Sequence, residues 1–145
     1  FQRLVNSELS GKADGTFFMV DFDNFKDVND NYGHQTGDNV LMAFAKILSD
    51  YTDRVMYASR IGGDEFCGYI RGVSDEKTLE VMFEGIIENF ASKLEAMNLK
   101  NLTSLSIGAL RVPVCEEKDF QKIYSAADKI LYKVKNAGKN NYMIR

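Results

Sequence analysis

Val55-Met56-Tyr57-Ala58-Ser59-Arg60-Ile61-Gly62-Gly63-Asp64-Glu65-Phe66-Cys67-Gly68-Tyr69-Ile70 joins two apolar runs through a double glycine and two acids. Val55 to Ala58 and Phe66 to Ile70 read as strands, and the glycines between them supply the positive φ angles that a tight hairpin demands. A second acidic cluster, Asp21-Phe22-Asp23, closes the apolar run Thr16-Phe17-Phe18-Met19-Val20, which reads as a buried central strand. Acids at the mouth of a buried sheet cost solvation energy unless they are paired or bound to a cation. Carboxylates arriving from two strand ends suit a hard divalent metal whose shell phosphate oxygens complete. The pattern points to metal-dependent phosphate chemistry.

Helical spacing surrounds these strands. Phe1, Leu4, Val5 and Leu9 predict a first helix closed by Gly11. Asp21 is expected to end the first strand and Asn24 to Asn31 to form a short helix. Val40, Leu41, Phe44, Ile47 and Leu48 mark one face of a helix beginning near Gly37. The stripe from Leu79 through Phe83, Ile86 and Phe90 to Met97 spans about five turns. Thr103 to Val112 predicts a strand ending at Pro113, Phe120 to Asn136 a helix stopped by Gly138, and Tyr142 to Ile144 a short last strand. A hairpin inside this order indicates an α+β fold with a largely antiparallel sheet covered by helices.

The chain has 145 residues, 45% hydrophobic and 27% charged, which is one ordinary globular domain covering residues 1–145. Its net charge of −3 argues against a general nucleic-acid binder. Cys67 and Cys115 make no CxxC pair, and with His34 the only histidine the composition argues against a zinc site. Both thiols read as reduced, which predicts a cytoplasmic location. No run approaches the ~18 apolar residues that span a bilayer, so this domain is expected to make no direct membrane contact. It is read as an excised piece, including the cytoplasmic part of a membrane-anchored protein.

Gly62-Gly63-Asp64-Glu65-Phe66 is, letter for letter, the motif of the GGDEF family of diguanylate cyclase domains. Asp21 to Asp30, Tyr32-Gly33-His34 and Gly37-Asp38 resemble that family's second signature. Ala127-Asp128, Leu131-Tyr132, Lys135 and Gly138-Lys139-Asn140 resemble its C-terminal block. The resemblance implies a five-stranded sheet related to the nucleotidyl-cyclase and polymerase palm.

It also implies residue roles. Asp21, the carbonyl of Phe22 and Asp64 would hold Mg²⁺ (or Mn²⁺). Asn24, Phe25 and Lys26 would meet the triphosphate, with Lys26 acting alongside Asp64 and Glu65 in catalysis. Successive N–H groups at the strand-to-helix turn make a phosphate seat in their own right. A calcium loop also begins with such acids, but it wants an oxygen ligand and glycine where Phe25 and Lys26 stand. Asn29 and Asp38 would read guanine, whose N1–H and N2–H₂ suit a carboxylate acceptor that adenine does not match. Taken alone, Asn29 is as readily a turn former and Asp38 a helix-start acid. His34 is expected to be structural or a pocket wall. Glu65 would be a metal-linked acid that helps deprotonate the 3′-hydroxyl. On a strand, Asp64 and Glu65 would point to opposite faces, a relation that a turn can change. Lys135 and Lys139, four apart, are expected to share a helix face and converge on the γ-phosphate.

Two departures stand out. The inhibitory RxxD product site is missing, because Asp53 and Met56 occupy its positions and Arg54 is displaced by one. The family's N-terminal DxLTGLxNR turn and any sensory or receiver module are also missing from the sequence. The implied activity is condensation of two GTP to cyclic di-GMP and pyrophosphate in a homodimer. The alternatives are a silent GTP-binding regulatory domain and a cyclase acting on ATP. The lack of a strong dimerisation stripe predicts weak self-association and turnover that rises steeply with protein concentration.

Overall fold

The computed structural model describes residues 1–11, 14–52, 56–114 and 119–145. The expected strand residue Val55, the RxxD position Asp53 with the displaced Arg54, and Cys115 lie outside the described residues. The chain runs α1 (Gln2–Leu9), β1 (Gly15–Asp23), α2 (Phe25–Tyr32), α3 (His34–Tyr51), β2 (Met56–Gly62), β3 (Glu65–Arg71), α4 (Glu76–Ala96), β4 (Ser104–Val112), α5 (Phe120–Asn136) and β5 (Asn141–Ile144). The five strands lie in the order β2-β3-β1-β4-β5. β1 pairs antiparallel with both β3 and β4 and β2 with β3, while β4 and β5 run parallel. The expected mostly antiparallel α+β sheet is what the chain forms.

β1 is central and buried on both faces, and its period of two sorts its side chains between two cores. Phe18, Val20 and Phe22 enter the larger core with α2, α3 and α4, whereas Phe17 and Met19 pack under α1 and α5. The larger core carries Phe22, Phe44, Phe66 and Phe90, with ring centroids 5.0–6.0 Å apart in edge-to-face and tilted pairs. Each such pair is worth about 0.5–1.5 kcal/mol beyond its buried area. This aromatic block lies directly beneath the ends of β1 and β3.

On the opposite face the packing is set by a close approach. A Cβ built on Gly108 of β4 would stand 2.4 Å from the backbone N of Leu131, so α5 presses on the sheet with no side chain between. Only glycine permits that contact.

Several local expectations are corrected. β1 continues past Asp21 to Asp23, because Asp21 to Asp23 remain paired with Ser106 to Ser104 of β4. α2 begins one residue late, with Asn24 as a left-handed N-cap (φ 58°), and α3 starts at His34, before Gly37. Only Gly63 of the double glycine takes a positive φ (49°), and the ladder slips between Arg60 and Gly62, which supplies the remaining bend. Leu4, expected to be apolar packing, is exposed on α1, where only Val5 is buried.

Candidate active site

The period of two explains which acids meet. Asp21 and Asp23 follow Phe17 and Met19 on the α5 face of β1, and Glu65 precedes Cys67 and Tyr69 on the same face of β3. Asp21 and Glu65 are direct cross-strand partners. Asp64 stands in the turn and opens to the other side, into a cleft of about 380 Å³ with Lys26, Asn29, His34 and Asp38. The expected opposition of Asp64 and Glu65 is therefore retained, and the hairpin tip lies between two depressions. The second, about 770 Å³, is bounded by Asp21, Glu65, Asp128, Tyr132 and Lys135.

Lys135 reaches from α5 into the acids. Its Nζ lies 3.0 Å from Asp21 Oδ2, 3.0 Å from Asp23 Oδ1 and 3.1 Å from the carbonyl oxygen of Phe22. Asp23 is 1% exposed, and burying its charge costs several kcal/mol unless its lone pairs are filled. They are filled: Ser104 Oγ (2.6 Å), Ser106 Oγ (2.8 Å) and the Asn140 amide (3.0 Å) also donate to it. Burial pushes its pKa up, but these donors outweigh burial and hold the carboxyl below its ordinary value.

Asp21 behaves oppositely. Burial, with help from Asp64 and Asp23, raises its pKa despite the contact with Lys135. Burial and the charges of Asp21, Asp64 and Asp128 likewise raise that of Glu65. The site thus concentrates negative charge that its own protein cations do not fully neutralise. Burial also lifts Cys67 to about 12, which makes it an inert thiol beneath the site.

The two lysines reach the site by different routes. α5 ends at Asn136, and Gly138 (φ 120°), Lys139 (φ 65°) and Asn140 (φ 44°) turn the chain sharply toward β5. Lys139 is off the helix, so it does not share a helical face with Lys135 as the four-residue spacing suggested. Its Nζ instead bonds Asn24 Oδ1 at 2.8 Å, beside the start of α2. Lys135, Lys139, Asp21, Phe22 and Asn24 gather at the β1–α2 junction, while Phe25, Lys26, Asn29, Asp38 and Asp64 line the adjoining cleft.

Sequence reasoning gave no role to Asp23, Ser104, Ser106, Asp128 or Arg60. Asp23 lies two residues from Asp21, and that spacing on a strand signals a shared face. Arg60 donates from Nε to the Gly63 carbonyl at 2.8 Å and staples the turn. Nothing in spacing alone brings Ser104 and Ser106 to Asp23, since that contact depends on strand register.

Among the described residues, no three His, Cys, Asp or Glu side chains gather into a closed metal cage. The expected metal set needs only two carboxylates and a carbonyl. Two of those donors, Asp21 Oδ2 and the Phe22 carbonyl, already converge on one cation, the Lys135 ammonium. Those two are oxygen donors of the kind a hard divalent ion takes, and Asp64 across the hairpin tip is near enough to act on Asp21 electrostatically.

The family model "Diguanylate cyclase, GGDEF domain" matches residues 1–141. The chain is 32% identical to an uncharacterized membrane protein of Staphylococcus epidermidis over 99% of its own length and 42% of that protein's. Uncharacterized protein YtrP of Bacillus subtilis is 33% identical over 90% of this chain and 21% of its own. The chain thus spans less than half the length of these curated relatives. Among solved structures, the GGDEF domain of DgcB from Caulobacter crescentus, in complex with c-di-GMP, superposes with a TM-score of 0.83 at 24% identity, covering 99% of this chain and 84% of that one. The active GGEEF domain of a diguanylate cyclase from Vibrio cholerae gives 0.74 at 25% identity, over 99% and 88%. In this chain, no described helix is long and apolar enough to cross a membrane.

Proposed function

The chain belongs to the GGDEF family of diguanylate cyclase domains, and from that premise we propose that it condenses two GTP into cyclic di-GMP. The 3′-oxygen of each nucleotide bonds to the α-phosphorus of the other. The bond to the β-phosphate breaks, and two pyrophosphates leave. In this reading the cleft beside Asp64 holds one nucleotide and the second comes from a second copy in a homodimer.

The observation that carries this reading is that Asn29 and Asp38 share one cleft with Lys26 and Asp64. A guanine edge bonded to Asn29 and Asp38 puts its phosphates toward Lys26 and the N-terminus of α2. Lys139 and Asn24 flank that end, and Lys135 stands behind it. Glu65, whose pKa is raised by burial and by its acidic neighbours, is suited to accept the proton of the attacking hydroxyl. Asp21, the Phe22 carbonyl and Asp64 would hold Mg²⁺ or Mn²⁺. A bound ion would neutralise phosphate charge and make the attacking hydroxyl more acidic. The protein's own contribution is positioning and fixed charge.

The test is chromatography of products after incubation with GTP and Mg²⁺ at several protein concentrations. Cyclic di-GMP accumulating faster than linearly with protein supports the cyclase and its dimer. GTP binding with no product would replace this reading with a regulatory GTP-binding domain, and equal use of ATP would overturn the guanine assignment. Because the chain spans 42% of its staphylococcal relative, we also propose that a sensory module accompanies it in a longer, cytoplasm-facing protein.

A further inference from the structure

An ammonium has three N–H donors, and Lys135 spends one on each of three oxygens: Asp21 Oδ2, Asp23 Oδ1 and the Phe22 carbonyl. Placed so, it has no donor left for a phosphate. Its side chain is only 21% exposed. Two of its three partners, Asp21 and the Phe22 carbonyl, are also the oxygens suited to a divalent ion. The third, Asp23, is buried and cannot take on a metal, because its oxygens are already occupied by Ser104, Ser106 and Asn140.

We propose that Lys135 is the resident counter-cation of the metal position, tethered by Asp23, and that a divalent ion displaces it from Asp21 and the Phe22 carbonyl toward the phosphates. This rests on the cyclase reading above and adds a mechanism for coupling metal and nucleotide. The asymmetry between the two aspartates makes the movement directional. Leaving Asp23 would strand a fully buried carboxylate with one charged partner fewer, whereas Asp21 and the carbonyl pass to a stronger cation. The ammonium therefore pivots on Asp23, and two of its donors become free for phosphate oxygens. Asp23 acts here as a positioning residue, and it does so through Lys135.

Binding of Mn²⁺ alone, followed by calorimetry and by the loss of free Mn²⁺ signal in electron paramagnetic resonance, tests the displacement. Lys135→Met is expected to bind Mn²⁺ at least about tenfold more tightly than the wild type, because a competing cation at contact distance is gone. Lys139→Met removes the same charge from the same region without touching Asp21, and is expected to change Mn²⁺ affinity less than about twofold. Lys135→Gln, which keeps a donor for Asp23, provides the same comparison if Lys135→Met does not fold. A second readout is GTP affinity: Lys135→Met should lower it about tenfold or more with Mn²⁺ present and leave it nearly unchanged in EDTA.

Equal Mn²⁺ affinity in the wild type and the Lys135 variants would overturn the displacement while leaving the cyclase reading intact. Equal tightening in the Lys135 and Lys139 variants would reduce the effect to general repulsion and overturn it as well. No Mn²⁺ binding in any variant, with or without GTP, would sink the metal-dependent reading and this inference together.

Discussion

Asp21 and Glu65 sit directly opposite each other on adjacent strands, two acids on one face of the β1–β3 ladder. Like charges in that relation oppose folding. The buried Phe22, Phe44, Phe66 and Phe90 block beneath stabilises the strand ends that carry the two acids, and under the proposed function a bound cation offsets their repulsion.

Glu65→Gln is expected to abolish cyclic di-GMP formation while leaving the melting temperature equal to or above that of the wild type at pH 7. The folded protein holds the Glu65 proton more tightly than the unfolded chain does. Its favourable contribution is therefore full below the ordinary value of 4.5 and is lost as pH rises through the raised folded value. The variant's advantage should close as the solution is acidified, which a series of melts from pH 7 to about 4 would check.

Asp23→Asn should do the reverse. The folded-state pKa of Asp23 is depressed, so its stabilisation is present above 3.8 and lost as pH falls through the lower folded value. At neutral pH the variant is expected to lose about 3 kcal/mol, since Lys135 and the serines keep their positions but lose the charge they serve. Urea unfolding at pH 7 and near pH 3 would check both the size of the loss and its shrinkage in acid.

Gly37→Ala bears on nucleotide binding. A Cβ there would fall 2.0 Å from Asn29 Oδ1 and 3.3 Å from Phe25 Cζ, so the short Asn29 side chain must move. Alanine favours the helix by about 1 kcal/mol, which offsets part of the clash. The expected outcome is a folded protein whose KM for GTP rises about tenfold or more, measured in a steady-state pyrophosphate assay.

Gly108→Ala probes the seating of α5. The added methyl meets the Leu131 backbone N at 2.4 Å and the Ala127 carbonyl at 2.8 Å, and neither is a flexible side-chain end. A loss of about 1–3 kcal/mol is expected. Lys135, one turn beyond Leu131, should withdraw from the Phe22 carbonyl. Thermal melts alongside GTP turnover would show stability and activity falling together.

Product feedback is expected to be weak. Asp53 and Met56 stand where an RxxD site would need arginine and aspartate. Calorimetry with cyclic di-GMP should detect no tight binding of a product dimer in a variant whose active-site cleft is blocked, such as Asp38→Trp. Micromolar uptake by that variant would refute this.

Much of the site was legible in the residues themselves. The apolar run ending in Asp21-Phe22-Asp23 and the double glycine ahead of Asp64 and Glu65 carry local information: strand, turn and charge follow from side-chain volume, φ preference and period. The amphipathic stripes of α3 and α4 were equally readable, because burial on one face repeats every 3.6 residues. Leu4 misled because a short terminal helix buries only a narrow strip, here Val5.

What the order of residues alone determined is the set of elements, the family, and the acids and lysines available for chemistry. Tertiary structure decided how they are used. Strand register set Ser104 and Ser106 against Asp23, close packing at Gly108 delivered Lys135 to three oxygens, and a left-handed loop sent Lys139 to Asn24. Spacing along a chain reports which face a side chain occupies within its own element. Which partner meets that face depends on register and helix seating, and those are settled by contacts between residues far apart in sequence.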